Sequence, residues 1–563
     1  MVSLKGGILN KSIIVFISLL VVAVFTHAKP PLVPAFPGAE GFGAKTTGGR
    51  GGIVVYVTNL NATGPGSLNA ALSMTAPRYI LFKVSGVVSS GTNYEGLTQV
   101  KKGNFTLAGQ TSPGGILTRG LFFRYNSLNQ FDTAYNTGNV IIRHIRSVNA
   151  EDALRVIATR NVIVDHCSFA WAEDETAQVS YVTNLTIQNC ILGENINANH
   201  TRYGGMLVSY GNSTYPLDSL SIHHNLWMRL GGRLPQCDCY DDSAWCQGRN
   251  FKFEFSNNLY WDPGAYMEFK SVTLNNDLFL SYNLNSVNNY YKVRSSYNQG
   301  LSSDGMTANV LSKIFLSGNK VSKFPMHSDY QLVNCCYGFV PPTNLIGPAT
   351  RLTTRHPHPL ITYTPTDSLR QYMIKNCGKF PRDSIDIRYM NWLIHDAVDT
   401  TVSLANGESY MDAELFKWKT APLPPTDSDS DGMPDTWEDW NGLHKNIADH
   451  NGFELSGLYY PGYDSCYTNL EVYLNMLSDS LVAGSSSSTV KGKNHGTKAK
   501  MPLNSNVNKF MNETKIEMYS INGKKIKEFT TLSEALRFNK IAKTAAIIMI
   551  DRREWRKVFN LSD

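Results

Sequence analysis

The chain is poor in charge: Asp, Glu, Lys and Arg make up 17% of its 563 residues. Gly, Asn, Ser and Tyr are abundant instead, a composition that suits an extracellular all-β protein. Cysteine is scarce as well. Nine cysteines are too few to staple a small fold and, being odd in number, do not all pair internally. The Gly-rich opening AFPGAEGFGAKTTGGRGG has no Gly-Lys-Ser/Thr ending and no strand before it, which excludes a phosphate-cradling loop there. A long apolar run occurs once, as SIIVFISLLVVAVF, after Lys5 and Lys11 and before Thr26-His27-Ala28. It is short for a membrane span and reads as a secretory signal peptide over residues 1–28, so the mature protein is expected to be secreted or held at the cell surface.

Acidic excess is also missing, since the formal net charge is +6. From Gly484 to the end, however, there are 16 Lys and Arg against 7 Asp and Glu, leaving 36 against 39 for the rest. The basic surplus belongs to the tail, and no nucleic-acid partner is expected for the main domain.

What the chain does contain is a repeat. VIIRHIRS begins at Val140, VIVDHCSF at Val162, LTIQNCIL at Leu185, LSIHHNLW at Leu220 and FEFSNNLY at Phe253, with FTLAGQT upstream at Phe105. The first steps are 22 and 23 residues, the interval of a solenoid whose stacked turns bury a shared core. His144, His166, Asn189, His224 and Asn257 fall at one position of the repeat, which predicts a polar ladder at a corner between sheets rather than a catalytic histidine. Cys167 and Cys190 also align and should stack as buried thiols. Cys237, Cys239 and Cys246, and the adjacent Cys335-Cys336, are better explained by loop disulfides than by zinc. GSLNAALS, with Ser67 as N-cap, predicts a short helix over the open end of the coil.

Beyond the repeat, residues 335–420 form a packing extension containing the helix IRYMNWLIHDAV. The segment 421–480 holds DSDSDGMPDTWE. There Asp427, Asp429, Asp431, Met433, Asp435 and Glu438 take positions 1, 3, 5, 7, 9 and 12 of a calcium loop, with Gly432 at the sharp turn. Pro434 departs from the usual pattern. TNLEVYLNML reads as a closing helix, 481–510 as a linker and 511–563 as a β-rich tail with a hairpin around Asn522-Gly523. That tail resembles the C-terminal sorting domains of Bacteroidetes Por-type secretion; a carbohydrate-binding module is the alternative.

Three polar clusters lie within the repeat: Glu151-Asp152; Asp165 with Glu173, Asp174, Glu175 and Gln178; and Arg229 with Arg233. Asp152 precedes Asp174 by 22 residues, one coil, so the two should be neighbours about 4.8 Å apart in the stacking direction. Alternation would set Asp174 with Thr176 and Gln178 on one face. Stacked carboxylates repel unless a cation lies between them, which points to Ca²⁺.

VIVDHCSFAW, the Asp152-Ala153 pair 13 residues before Asp165, and Arg233-Leu234-Pro235 together resemble the pectate lyases of polysaccharide lyase family one, over roughly residues 35–325. The resemblance implies an all-β, right-handed parallel β-helix over residues 29–334 and cleavage of polygalacturonate by calcium-dependent β-elimination. It implies that Asp152 and Asp174 bind calcium with Gln178 in the place of a third carboxylate, and that Arg233 is catalytic. The family's second arginine is Asp238 here. Its substrate-binding lysine has no clear match, and Arg202 is the nearest substitute, with Arg229 as a second substrate contact. The expected partner is an acidic polysaccharide, met by a monomer. Two other readings stay open: a polygalacturonase-type hydrolase using Asp241-Asp242, and a non-catalytic glycan binder.

Overall fold

The computed structural model describes residues 33–333 apart from 89–97, 124–136, 149, 195–203, 239–244, 246–247, 270–279 and 302–310. It further describes 340–341, 350–398, 422–488 and four tail strands between 516 and 558. The proposed signal peptide and linker, Arg202, Asp241-Asp242, and Cys239, Cys246, Cys335 and Cys336 lie outside the described residues. Among those described, no helix is long and apolar enough to cross a membrane.

The repeat units stack as parallel strands. Val162 pairs with Val140 on one side and Leu185 on the other, Leu185 with Leu220, and Leu220 with Phe253. Phe105 pairs with Val140, so every predicted strand start falls in one register column. The column extends beyond the predicted units, through Ile53 and Arg78 at one end and Leu284 and Ile314 at the other. All inter-coil pairings are parallel, and parallel crossovers of this kind wind right-handed, which makes the molecule a right-handed parallel β-helix. A 15-stranded sheet wraps two sides of the coil and a 9-stranded sheet forms the third.

Corners come from residues with left-handed backbone. Leu154–Asp165 and Ala177–Gln188 run continuously through a bend marked by Ala158, Asn161, Tyr181 and Asn184 at φ between 50° and 56°. The predicted His/Asn column makes the next corner: His144, His166, Asn189, His224 and Asn257 all have φ of 50–56°, a conformation in which Asn and His are enriched. The hydrogen-bonded ladder sits one residue later than expected. Asn225 donates to Asn258, Asn258 to Asn289 and Asn289 to Asn319, at 3.2, 3.2 and 2.9 Å. Cys167 and Cys190 occupy the same internal column, with the Cys167 amide on the Cys190 sulfur at 3.4 Å. The ladder thus begins as thiols and continues as amides, each satisfying backbone that the buried corner would otherwise strand.

Ser67 caps the helix Leu68–Leu72 as expected, accepting from the Ala70 amide. Helices Leu369–Asn376 and Ser384–Ile394 lie on the 9-stranded sheet, burying Leu369, Met373, Tyr389 and Leu393 against Trp171, Leu226 and Trp261. The closing helix Asn469–Ser488 sits on the first coils, where Leu470 and Leu474 meet Tyr79 and Leu81. The expected loop disulfide fails at Cys237, whose buried thiol is not bridged and joins the internal core. The tail carries the expected hairpin, Ile516–Ser520 with Lys525–Phe529, within a four-stranded antiparallel sheet.

Candidate active site

One face of the large sheet carries a column directed away from the core and read across consecutive coils: Phe122, Arg155, Gln178, Leu207 and Gln236, each in register with the next; Arg155 and Gln178 are partly exposed, and the other three are buried. Their neighbours Leu154, Val156, Ala177 and Val179 point into the core, as alternation requires. At the leading edge of this column the chain enters each strand from a loop, and there the polar clusters meet.

Asp152 is fully buried. One oxygen accepts from Arg155 Nε at 2.6 Å, and the other accepts from the backbone N–H of Glu175, one coil on, at 3.2 Å. The Arg155 guanidinium also stacks over Phe122 at 4.7 Å. Asp174 follows the same turn: its amide donates to the Glu151 carbonyl at 2.8 Å. Asp152 and Asp174 are therefore on adjacent coils, as expected. Their side chains differ in setting, since Asp174 is 48% exposed while Asp152 is sealed.

Arg233 arrives three coils beyond Asp152 and two beyond Asp174, held at φ 55° where its carbonyl accepts from the Met206 amide. It is 16% exposed, lies 3.9 Å from Asp174 and contacts the Glu175 carboxylate. The expectation that Asp174, Thr176 and Gln178 share a face is corrected. The strand starts only at Ala177; before it, the turn buries Glu175 and Thr176 and leaves Asp174 outside. Gln178 stands in the ladder beside Arg155. Arg155 and Glu175 are the site residues that spacing alone missed; Glu175 sat in the acidic run next to Asp174, but nothing in the sequence ranked it above its neighbours.

Arg229 belongs elsewhere. It lies 3.5 Å from both Glu194 and Asp262 and stacks on Trp392 at 5.4 Å. Arg388 of the same covering helix pairs with Glu194 at 2.5 Å. Arg229 thus braces that helix to the coil rather than reaching Asp174. The corner histidines are structural too: His144 bonds Ser478 and His224 bonds Thr364, and burial depresses the pKa of both.

The acidic loop is a second centre. Ligand oxygens of Asp427, Asp429 and Asp431 lie within 4.8 Å of one another, and so do those of Asp431, Glu438 and Asp449. Met433 reaches the group through its amide, which donates to Asp431, while its side chain is buried in the core. Asp435 turns away and accepts from the Ser428 amide and hydroxyl, both at 2.7 Å.

An arginine and carboxylate cluster thus sits at the lip of stacked parallel coils in a β-helix protein. The chain is similar over most of its length to proteins that carry the name pectate lyase. It is 29% identical over 492 residues to the Aspergillus oryzae protein named "Probable pectate lyase C", covering 84% of this chain and 100% of that one. It is 28% identical over 465 residues to the protein of the same name in Emericella nidulans, covering 79% and 92%. Among solved structures, pectate lyase Bsp165PelA from Bacillus sp. N165 in complex with trigalacturonate is similar at 16% identity with a TM-score of 0.41, covering 61% of this chain and 99% of that one. No protein-family model matches the chain.

Proposed function

We propose that this protein is a secreted polysaccharide lyase that cleaves polygalacturonate by β-elimination, acting as a monomer on a chain laid along the Phe122–Gln236 column. The observation that carries the reading is the meeting of Arg233 with Asp174 and Glu175 beside buried Asp152. The names of its homologues support it.

β-Elimination removes the proton at C-5 of a uronate and expels the C-4 oxygen, leaving a C=C bond. Arg233 is the proposed base. A guanidinium with its ordinary pKa above about 12 gives up a proton reluctantly, and a carboxylate partner holds it charged. Glu175 and Asp174 therefore keep Arg233 cationic and positioned in the resting protein, and it can accept the C-5 proton only after passing a proton of its own to solvent as those carboxylates are displaced. An arriving uronate carboxylate competes for the guanidinium and seats the sugar against it. Arg155, stacked on Phe122, offers a second cation in the same column, and Gln178 offers an amide to sugar hydroxyls.

The donor set at Asp152 fits a hard cation. Burial, with the like charges of Glu151 and Asp174, pushes its pKa up to about 7 although Arg155 sits beside it, so the carboxylate remains short of positive charge. Asp152 and Asp174 would hold Ca²⁺, with the Gln178 carbonyl oxygen as a neutral third donor and Arg155 giving way. When bound, Ca²⁺ would neutralise the uronate, acidify its C-5 proton and draw Asp174 from Arg233. Arg202 remains the proposed further substrate contact, and the tail a proposed sorting domain.

The test is purified protein on polygalacturonate, with and without Ca²⁺, read by ultraviolet absorbance of the new C=C bond. Absorbance growth that stops on chelation is expected. New reducing ends without absorbance would make the enzyme a hydrolase, and glycan binding without turnover would make it a binder.

A further inference from the structure

The acidic loop matches a calcium-loop spacing, but its geometry departs from the ligand set that spacing predicts. Asp435 at position 9 is committed to Ser428. In its direction stands Asp449, which the spacing does not reach. Glu438 is 0% exposed, yet neither of its carboxylate oxygens has a hydrogen-bond partner; Asp429 Oδ2 and Asp449 Oδ1 are also buried and unpartnered. No lysine or arginine pairs with any of these carboxylates among the described residues. A buried carboxylate without counter-charge or hydrogen bond costs several kcal/mol, and here several such groups converge. The crowding raises the pKa of Asp431 and Glu438, burial being the larger cause in each.

We propose that Asp449, rather than Asp435, completes a calcium site with Asp427, Asp429, Asp431 and Glu438, and that filling it fastens the closing segment to the first coils of the β-helix. Five carboxylates offer the six or more oxygens that Ca²⁺ takes at about 2.3–2.6 Å once one or two bind through both atoms. The site is tied on every side to the coil's open end. Tyr56, on the first strand, donates its hydroxyl to Asp427. Met433, inside the loop, buries its side chain against Tyr79 and Leu81 and against Leu470 and Leu474 of the closing helix. Asp449 donates its amide to Asp431, and its neighbours His450 and Asn451 both reach the Gly52 carbonyl, at 3.2 and 3.0 Å. The Leu470 amide donates back to His450. A cation at this point therefore joins the first strand, the loop and the closing helix, and excludes water from the end of the apolar core. The inference does not rest on the lyase reading, because the site contains none of the residues assigned to cleavage.

The experiment is calcium titration by calorimetry on chelator-treated full-length protein, without polysaccharide, together with thermal melts in chelator and in Ca²⁺. The wild type is expected to bind, and its Tm to rise by several degrees. Asp449→Asn and Glu438→Gln should each weaken this binding by about 100-fold or more, while Asp435→Asn leaves it within about 3-fold of wild type. Both weakening variants lose repulsion as well as a ligand. In chelator they should melt no lower than the wild type and show no rise on adding Ca²⁺, which separates loss of the site from loss of the fold. Wild-type affinity in Asp449→Asn, equal loss in Asp435→Asn and Glu438→Gln, or no binding and no Tm shift in the wild type would each overturn the proposal.

Discussion

The Asp152 carboxylate and the Glu175 backbone amide, 23 residues apart in the chain, are joined by a 3.2 Å hydrogen bond. That contact sets the acidic turn of one coil against the buried acid of the preceding coil, and it brings Glu175 under Arg233. Positioning by the main chain explains how a turn without regular structure holds its carboxylates in place.

Arg233→Ala is expected to lower lyase turnover by about 1,000-fold or more while leaving circular dichroism close to wild type; Tm should fall as well, because buried Glu175 loses its partner, so turnover is compared well below the melting range. Arg233→Lys should rescue little, because an ammonium does not reproduce the planar guanidinium whose one terminal nitrogen faces both Glu175 and Asp174. Turnover within a few-fold of wild type in the alanine variant would remove Arg233 as the base.

Asp152 and Arg155 form an asymmetric pair, with side-chain exposure of 0% and 17%. With its pKa already raised to about 7, Asp152 should take up a proton when the arginine is removed, so Arg155→Ala should cost about 1–3 kcal/mol in denaturant unfolding for the lost charged hydrogen bond. Asp152→Asn keeps a polar group beside Arg155 and should cost less. The reverse order would mean that Arg155 is not the partner on which the buried Asp152 carboxyl depends.

Acid should destabilise the fold through its buried histidines. Burial lowers His223 from 6.5 to about 4, and the folded state therefore binds its proton less readily than the unfolded chain. The stabilisation is fully present above pH 6.5 and is lost as pH falls through about 4, amounting to roughly 3 kcal/mol for this group. His144 and His224 shift the same way. Stability measured by urea unfolding should fall across that window, and His223→Asn should flatten the slope. An unchanged slope in the variant would show that His223 is not responsible.

The amide ladder should matter more than surface ion pairs. Asn289→Ala breaks bonds to Asn258, Asn319 and the Phe255 carbonyl and leaves buried groups unsatisfied, at a cost of about 2–4 kcal/mol. Lys252→Ala removes an exposed pair with Asp218 and should stay within about 0.5 kcal/mol. Similar melting losses for the two would contradict a ladder that holds the corner.

The coil itself was legible in the residues. Apolar strands recurring from Val140 to Phe253 name the register, because in a solenoid each unit meets only its neighbours and sequence period becomes stacking period. The packing of helix Ser384–Ile394 and the cap at Ser67 were equally readable, since apolar spacing and cap chemistry are local. The ladder was displaced by one residue because the left-handed corner and the inward amide are adjacent, and composition does not say which of the two makes the bonds.

Residue types and spacing by themselves determined a solenoid of stacked strands, with Asp152 and Asp174 on neighbouring coils and an acidic loop after it; the family resemblance added the right-handed parallel β-helix. Only the tertiary structure decided that Glu175 lies under Arg233, that Arg229 braces a helix instead, and that Asp449 faces Glu438 where Asp435 does not. Those outcomes depend on side chains from turns and distant segments, where no periodicity constrains direction and where burial, not spacing, selects which carboxylate faces inward.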